Sequence, residues 1–175
     1  LEPCPTSLRG ATMNARDAIK LNLNMSDMIV RSYLSDLSDT DLLIRPVPGT
    51  NHIAWQLGHL ICSEHDIIEA VCPGAMPALP AGFADRHNGP SSKLDSPSAF
   101  CSKAEYLRLY EQQRAATVAA LDRLSEQELD KPSPEKMQSY TRNVGDCFSL
   151  QGSHYTMHAG QWAVVRRKLG RAPLF

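Results

Sequence analysis

Residues 145–170 read GDCFSLQGSHYTMHAGQWAVVRRKLG, and this stretch decides the fold. It contains no proline. Leu150, His154, Met157, His158, Gln161, Val165 and Leu169 recur at three- and four-residue steps, so they share one broad face of a helix. Gly145 or Asp146 opens that helix, and Gly170 closes it as a C-cap glycine. Two of the residues on the face are histidines a single turn apart. The imidazoles of His154 and His158 therefore project one above the other, about 6 Å apart at the backbone.

Working outward, the same periodicity predicts three more helices. Met13 to Leu37 lacks proline and glycine, and Ala18, Leu21, Met25, Met28, Ile29 and Ser32 form its expected inward stripe. Ser38 or Asp39 caps a short turn through Leu43, and Pro46, Pro48 and Gly49 stop the chain. Thr50 or Asn51, with Asn51 preferred, caps a second helix over Ile53 to Val71, with Ala54, Leu57, Ile61 and Ile68 near one stripe; Cys72-Pro73-Gly74 ends it. Ser96 or Ser98 caps a third over about Ala99 to Leu124, where Tyr106, Tyr110, Gln113, Thr117, Ala120, Leu121 and Leu124 share the period. A short extra turn follows at Glu126 to Leu129, then an irregular stretch from Pro132 to Asn143. With no alternating strand pattern, the expected class is all-α: a four-helix bundle with long connections before helices three and four. The first connection, Cys72 to Pro97, holds five prolines and three glycines with no sustained period. It reads as one structureless loop, of a length that marks lids or disordered insertions.

Composition narrows the class of function. Across 175 residues, 18 Lys+Arg oppose 19 Asp+Glu for a net charge of −1, which argues against a nucleic-acid partner. The cluster Arg166, Arg167, Lys168 and Arg171 reads as a complement to the helix dipole. Five cysteines, Cys4, Cys62, Cys72, Cys101 and Cys147, include no CxxC pair, so neither a disulfide framework nor a cysteine zinc site is expected, and a reducing cytoplasm suits them. No apolar run is long enough to span a membrane. Residues 1–12 read as a disordered leader or tag, residues 13–170 as one domain and residues 171–175 as a C-terminal tail.

The histidine pair can be read as coincidence, or as two ligands of one metal ion. Its place on an apolar face favours the second, because a buried imidazole needs a partner. A third ligand then comes from the second helix, where His59 lies on the buried stripe beside Gly58. His52 falls on nearly the same face but about 10 Å along the axis, and His65 is turned away by roughly 120°, toward solvent.

Together, Asn51-x3-Trp55-x2-Gly58-His59 and, 95 residues on, His154-x3-His158-x-Gly160-Gln161 resemble the DinB-like superfamily from about Met13 to Gly170. That resemblance implies a metal-binding four-helix bundle with a long crossover, related to mycothiol- and bacillithiol-dependent transferases. It also implies a three-histidine divalent-metal site at His59, His154 and His158, and a homodimer.

Three neutral imidazoles leave an ion an open position, and an ion so held makes a thiol or water available as a nucleophile at neutral pH. The leading expectation is an enzyme that activates a low-molecular-weight thiol for S-transfer to a small electrophile. The alternatives are a metal-dependent hydrolase of a small amide or ester, and a non-catalytic metal- or ligand-binding stress or sensor module. Zinc or nickel are the leading metals, with iron and copper also compatible.

Gln161 and Tyr155 are secondary site candidates, and Tyr140 and Arg142 weaker ones as acid or anion clamp. Trp55 is a core aromatic or a wall of the pocket, Cys62 a small buried hydrophobe, and Glu64 and Asp66 are expected in solvent. No HExxH or GxSxG string and no phosphate-cradling glycine loop competes with the histidines.

Overall fold

The computed structural model describes residues 12–174. The leader at 1–12 therefore lies outside the described residues except for Thr12. The described chain is all-α, with long helices α1 (Ala15–Leu34), α2 (Ile53–Val71), α3 (Lys103–Arg123) and α5 (Val144–Lys168), and a four-residue α4 (Glu126–Leu129). Among the described residues the only β-type pairing is an isolated bridge between Pro132 and Asn143. Among the described residues no helix is long and apolar enough to cross a membrane.

The packing of α1 corrects the sequence reading. Asn14 caps it, accepting from the Asp17 amide, while the Asp17 carboxylate accepts from the Asn14 amide. The residues that turn inward are Ile19, Leu23, Ser26, Val30 and Leu34. Leu21, Met25 and Met28 face outward, 52%, 46% and 43% exposed. Two stripes on this helix carry helical period, and the one that meets α5 lies beside a close approach. A Cβ at Gly152 of α5 would meet the Asn22 side chain at 2.7 Å, and Asn22 Nδ2 donates to the Ser149 carbonyl at 2.7 Å. The Ile19–Leu23–Val30 side packs inward beside that contact, and the methionines lie outward.

α2 is the most enclosed helix. It packs against α3 and α5, and the segment after it folds back over a further face. Its N-cap is His52 rather than Asn51 or Thr50: Nδ1 accepts from the Trp55 amide at 3.1 Å, so Nε2–H donates to the Leu94 carbonyl at 3.1 Å. The Cys72–Pro97 segment is not structureless. It contains 3₁₀ turns at Asp85–His87, Pro90–Lys93 and Pro97–Ala99, and buries Phe83, His87 and Ser91. Its order comes from single anchors rather than a repeating stripe, which is why no period announces it.

Ser102, not Ser96 or Ser98, caps α3, accepting from the Glu105 amide. Tyr106, Tyr110, Gln113, Thr117, Ala120 and Leu121 are buried as the periodicity requires. Asn143 caps α5, and Gly170 at φ 70° ends it: Gly170 N–H donates to Arg167 O and Arg171 N–H to Arg166 O, both at 3.0 Å. The basic cluster there does more than complement a dipole. Arg166 is buried and paired with Asp36, and Arg171 bridges Asp36 and Asp41, tying the end of α5 to the segment after α1.

Candidate metal centre

His59 stands near the middle of α2, and His154 and His158 lie one turn apart on α5, which packs against it. Each of the three offers a ring nitrogen, and these atoms all lie within 4.8 Å of one another. The ring centroids are 5.2 Å apart for His59–His154, 5.6 Å for His59–His158 and 5.0 Å for His154–His158. Among the described residues this is the group of histidine, cysteine and carboxylate side chains placed to share an ion.

Electrostatics favour the ligating form. Burial, with the neighbouring imidazoles adding to it, pushes His154 and His158 down to about 4, and burial lowers His59 as well. All three are neutral at pH 7, with lone pairs available. Neutral imidazoles at this separation are a donor set that fits a divalent first-row ion.

The surroundings hold the rings in place. The Trp55 indole stacks on His59 with centroids 5.1 Å apart and planes 7° from parallel. Its Nε1–H is shared between the Asn88 carbonyl at 3.0 Å and Ser91 Oγ at 3.2 Å, which ties the long connection to the ring stacked on His59. Trp55 is therefore both a core aromatic and a wall of the centre. On the other side, His158 Nδ1 lies 3.0 Å from Gln56 Oε1. Gln161 touches neither histidine through a hydrogen bond; its Oε1 accepts from Gln56 Nε2 at 3.1 Å.

The other candidates lie elsewhere. His52 is the N-cap of α2. His65 is half-buried rather than turned to solvent, with Nδ1 3.2 Å from Gln113 Oε1. His87 is buried against α2, with Nδ1 2.8 Å from the Phe83 carbonyl and Nε2 2.7 Å from Tyr106 Oη. Tyr155 is fully buried, its ring tilted against Tyr110 and covered by Arg114, and it is not one of the three residues whose ligand atoms converge. Tyr140 is exposed, and Arg142 pairs with Asp146, whose place eight residues before His154 is about 12 Å along the helix. Asp66 is exposed as expected, but Glu64 is fully buried and ion-paired to Arg114 at 3.1 Å. The Cys62 thiol is pushed up to about 12 by burial and stays protonated.

Two features of this region had no reading in the sequence. Gln56 carried one signal, a single amide in the apolar run Ile53 to Leu57. The Glu64–Arg114 pair joins residues 50 positions apart and had none.

No curated protein matches the chain. A conserved protein of Enterococcus faecalis, solved as a crystal structure, shares the fold at a TM-score of 0.67 and 15% identity, over 91% of this chain and 100% of that one. Residues 23–162, from within α1 to the last turns of α5 and including all three histidines, match the DinB superfamily, and the chain belongs to that superfamily.

Proposed function

We propose that His59, His154 and His158 hold one divalent metal ion, zinc or nickel, with iron and copper as the other compatible metals. On this reading the protein is an enzyme that activates a low-molecular-weight thiol for S-transfer to a small electrophile. The observation that carries it is the convergence of three neutral imidazoles from two helices within 4.8 Å. The four long helices act as a four-helix bundle whose long crossovers leave that centre on rigid elements.

When bound, the ion supplies Lewis acidity that stabilises a thiolate or hydroxide at neutral pH. The chain's own residues prepare the place. Burial keeps the three rings unprotonated, Trp55 covers one face of His59, and Gln56 braces His158. A thiol from outside fits better than an internal one, because burial raises Cys62, Cys72, Cys101 and Cys147 and keeps each protonated. The group of three also contains no carboxylate to act as general base, which favours thiol transfer over hydrolysis.

Elemental analysis of the purified protein beside His59→Ala and His158→Ala tests the site. Stoichiometric metal in the parent and its loss in both variants is expected; metal retained in both overturns the assignment. Mixing the loaded protein with bacillithiol, mycothiol or glutathione and a model electrophile tests the reaction. Equal turnover by metal-free protein would end the S-transferase reading, and hydrolysis of an ester panel or tight binding without turnover would establish an alternative. The proposal extends to a cytoplasmic homodimer paired through the outward apolar residues Leu21, Met25, Met28, Met157 and Val164 of α1 and α5. Sedimentation equilibrium showing a monomer at micromolar concentration would exclude the pairing.

A further inference from the structure

The buried amide of Gln56 has all four of its hydrogen-bonding positions engaged. Oε1 faces Trp162 Nε1 at 2.8 Å and His158 Nδ1 at 3.0 Å, and Nε2 faces the Asn51 carbonyl at 2.6 Å and Gln161 Oε1 at 3.1 Å. Two of these partners have only one possible role. An indole N–H can only donate and a backbone carbonyl can only accept. The amide therefore stands one way round, with oxygen toward Trp162 and nitrogen toward Asn51. What meets His158 Nδ1 is then a carbonyl oxygen, so Nδ1 must carry the proton. In a neutral imidazole that leaves the lone pair on Nε2.

We infer that Gln56 is a positioning residue of the centre: its oxygen locks His158 in the Nδ1–H tautomer, and thereby presents Nε2 as the ligating atom. The inference rests on the metal-centre reading above and adds the part that sets which nitrogen binds. Trp162 and the Asn51 backbone carbonyl hold the amide, and Gln161 completes its shell, so the motif residue Gln161 acts through Gln56 rather than on the ion. The partner is a neutral amide rather than the carboxylate often found behind a metal-bound histidine. It orients the ring without adding a negative charge.

Two measurements test this on the full chain, with Gln56→Met removing the amide at similar length and Gln56→Glu keeping an acceptor oxygen in its place. The first is two-bond ¹H–¹⁵N spectroscopy of the histidines in metal-free protein. His158 is expected as the Nδ1–H tautomer in the parent and in Gln56→Glu, and as a mixture in Gln56→Met. The second is competition titration with zinc, in which Gln56→Met should bind 10- to 100-fold more weakly than the parent, on the order of outer-shell losses generally, and more weakly than Gln56→Glu, which keeps the acceptor. An Nε2–H tautomer in the parent, or parental tautomer and affinity in Gln56→Met, overturns the inference. A parent that takes up no metal defeats the metal reading alone, and the tautomer spectra still decide the role of Gln56. If Gln56→Met does not fold, the same spectra on the parent and on Gln56→Glu decide it: an Nε2–H tautomer of His158 in either counts against the proposed brace.

Discussion

The imidazole of His87 lies directly on the bare backbone of Gly58: a Cβ placed at that glycine would come within 2.0 Å of His87 Cδ2. Gly58 precedes His59 in α2, so the long connection is seated against the same turn of helix that supplies the first candidate ligand. The requirement for glycine here is steric and has nothing to do with backbone conformation.

Gly58→Ala should therefore unseat the connection without breaking the helix. The extra methyl has a ring rather than a flexible chain end to displace, so a loss of about 1–3 kcal/mol is expected, as for overpacked cores. Urea denaturation reads the loss, and hydrogen exchange should speed up at residues 83–91 while α1 and α5 stay protected. Unchanged stability and exchange would mean that His87 is not seated on this glycine in solution.

Acid should loosen the same clasp. His87 Nδ1–H donates to the Phe83 carbonyl and Cys101 N–H to Tyr106 Oη, so in the neutral ring Nε2 accepts the Tyr106 hydroxyl proton. Burial accordingly pushes His87 down to about 4. The unfolded chain, with histidine near its ordinary 6.5, takes up the proton first as pH falls. The contribution to stability is complete above about pH 6.5 and is lost toward pH 4, at about 1.4 kcal/mol per pH unit for each such histidine. His154 and His158, also held near 4, add to the slope in metal-free protein. Replacing His87 with glutamine should lower the slope of stability against pH by one proton's worth in that window. A slope equal to the parent's would show that His87 is not held neutral.

The parts of this fold that were legible in the sequence are those with local cause. α2 begins and ends where the proline and glycine positions require, and His154 and His158 share a face because a turn has 3.6 residues. What was not legible depends on partners distant in the chain. Leu21–Met25–Met28 and Ile19–Leu23–Val30 are both periodic, and the set that is buried is the one on the side where Asn22 meets Gly152 of α5. Glu64 looked like a solvent residue because its partner Arg114 lies on another helix. The segment from Cys72 to Pro97 showed no pattern because Phe83 and His87 anchor it individually.

The Glu64–Arg114 pair makes its own prediction. Arg114 also donates to Ser26 Oγ at 3.3 Å and covers the Tyr155 ring at 4.9 Å, so the pair sits where α1, α2, α3 and α5 meet. Arg114→Met leaves the Glu64 carboxyl buried without its cation and should cost about 3–5 kcal/mol. Replacing Glu64 with leucine in the same chain removes the stranded group, and the double variant should recover a large part of that loss. Thermal or urea denaturation of both chains measures the difference. A double variant no more stable than Arg114→Met would mean that the stranded carboxyl is not the source of the cost.

Trp55 separates the two roles that meet at His59, the first candidate ligand. Phenylalanine at this position keeps an aromatic ring over His59 but lacks the Nε1–H that reaches Asn88 O and Ser91 Oγ. Trp55→Phe should therefore leave metal uptake near the parent's while residues 88–91 exchange their amides faster, the lost bonds being worth about 1 kcal/mol. Trp55→Ala removes the ring as well, so His59 loses the surface that fixes its plane, and metal affinity should fall along with stability. The contrast is the informative part. Equal metal affinity in Trp55→Phe and Trp55→Ala would show that the stack does not hold the ligand. Loss of metal already in Trp55→Phe would place the cause in the bonds to the connection, making residues 88–91 part of what keeps His59 in position.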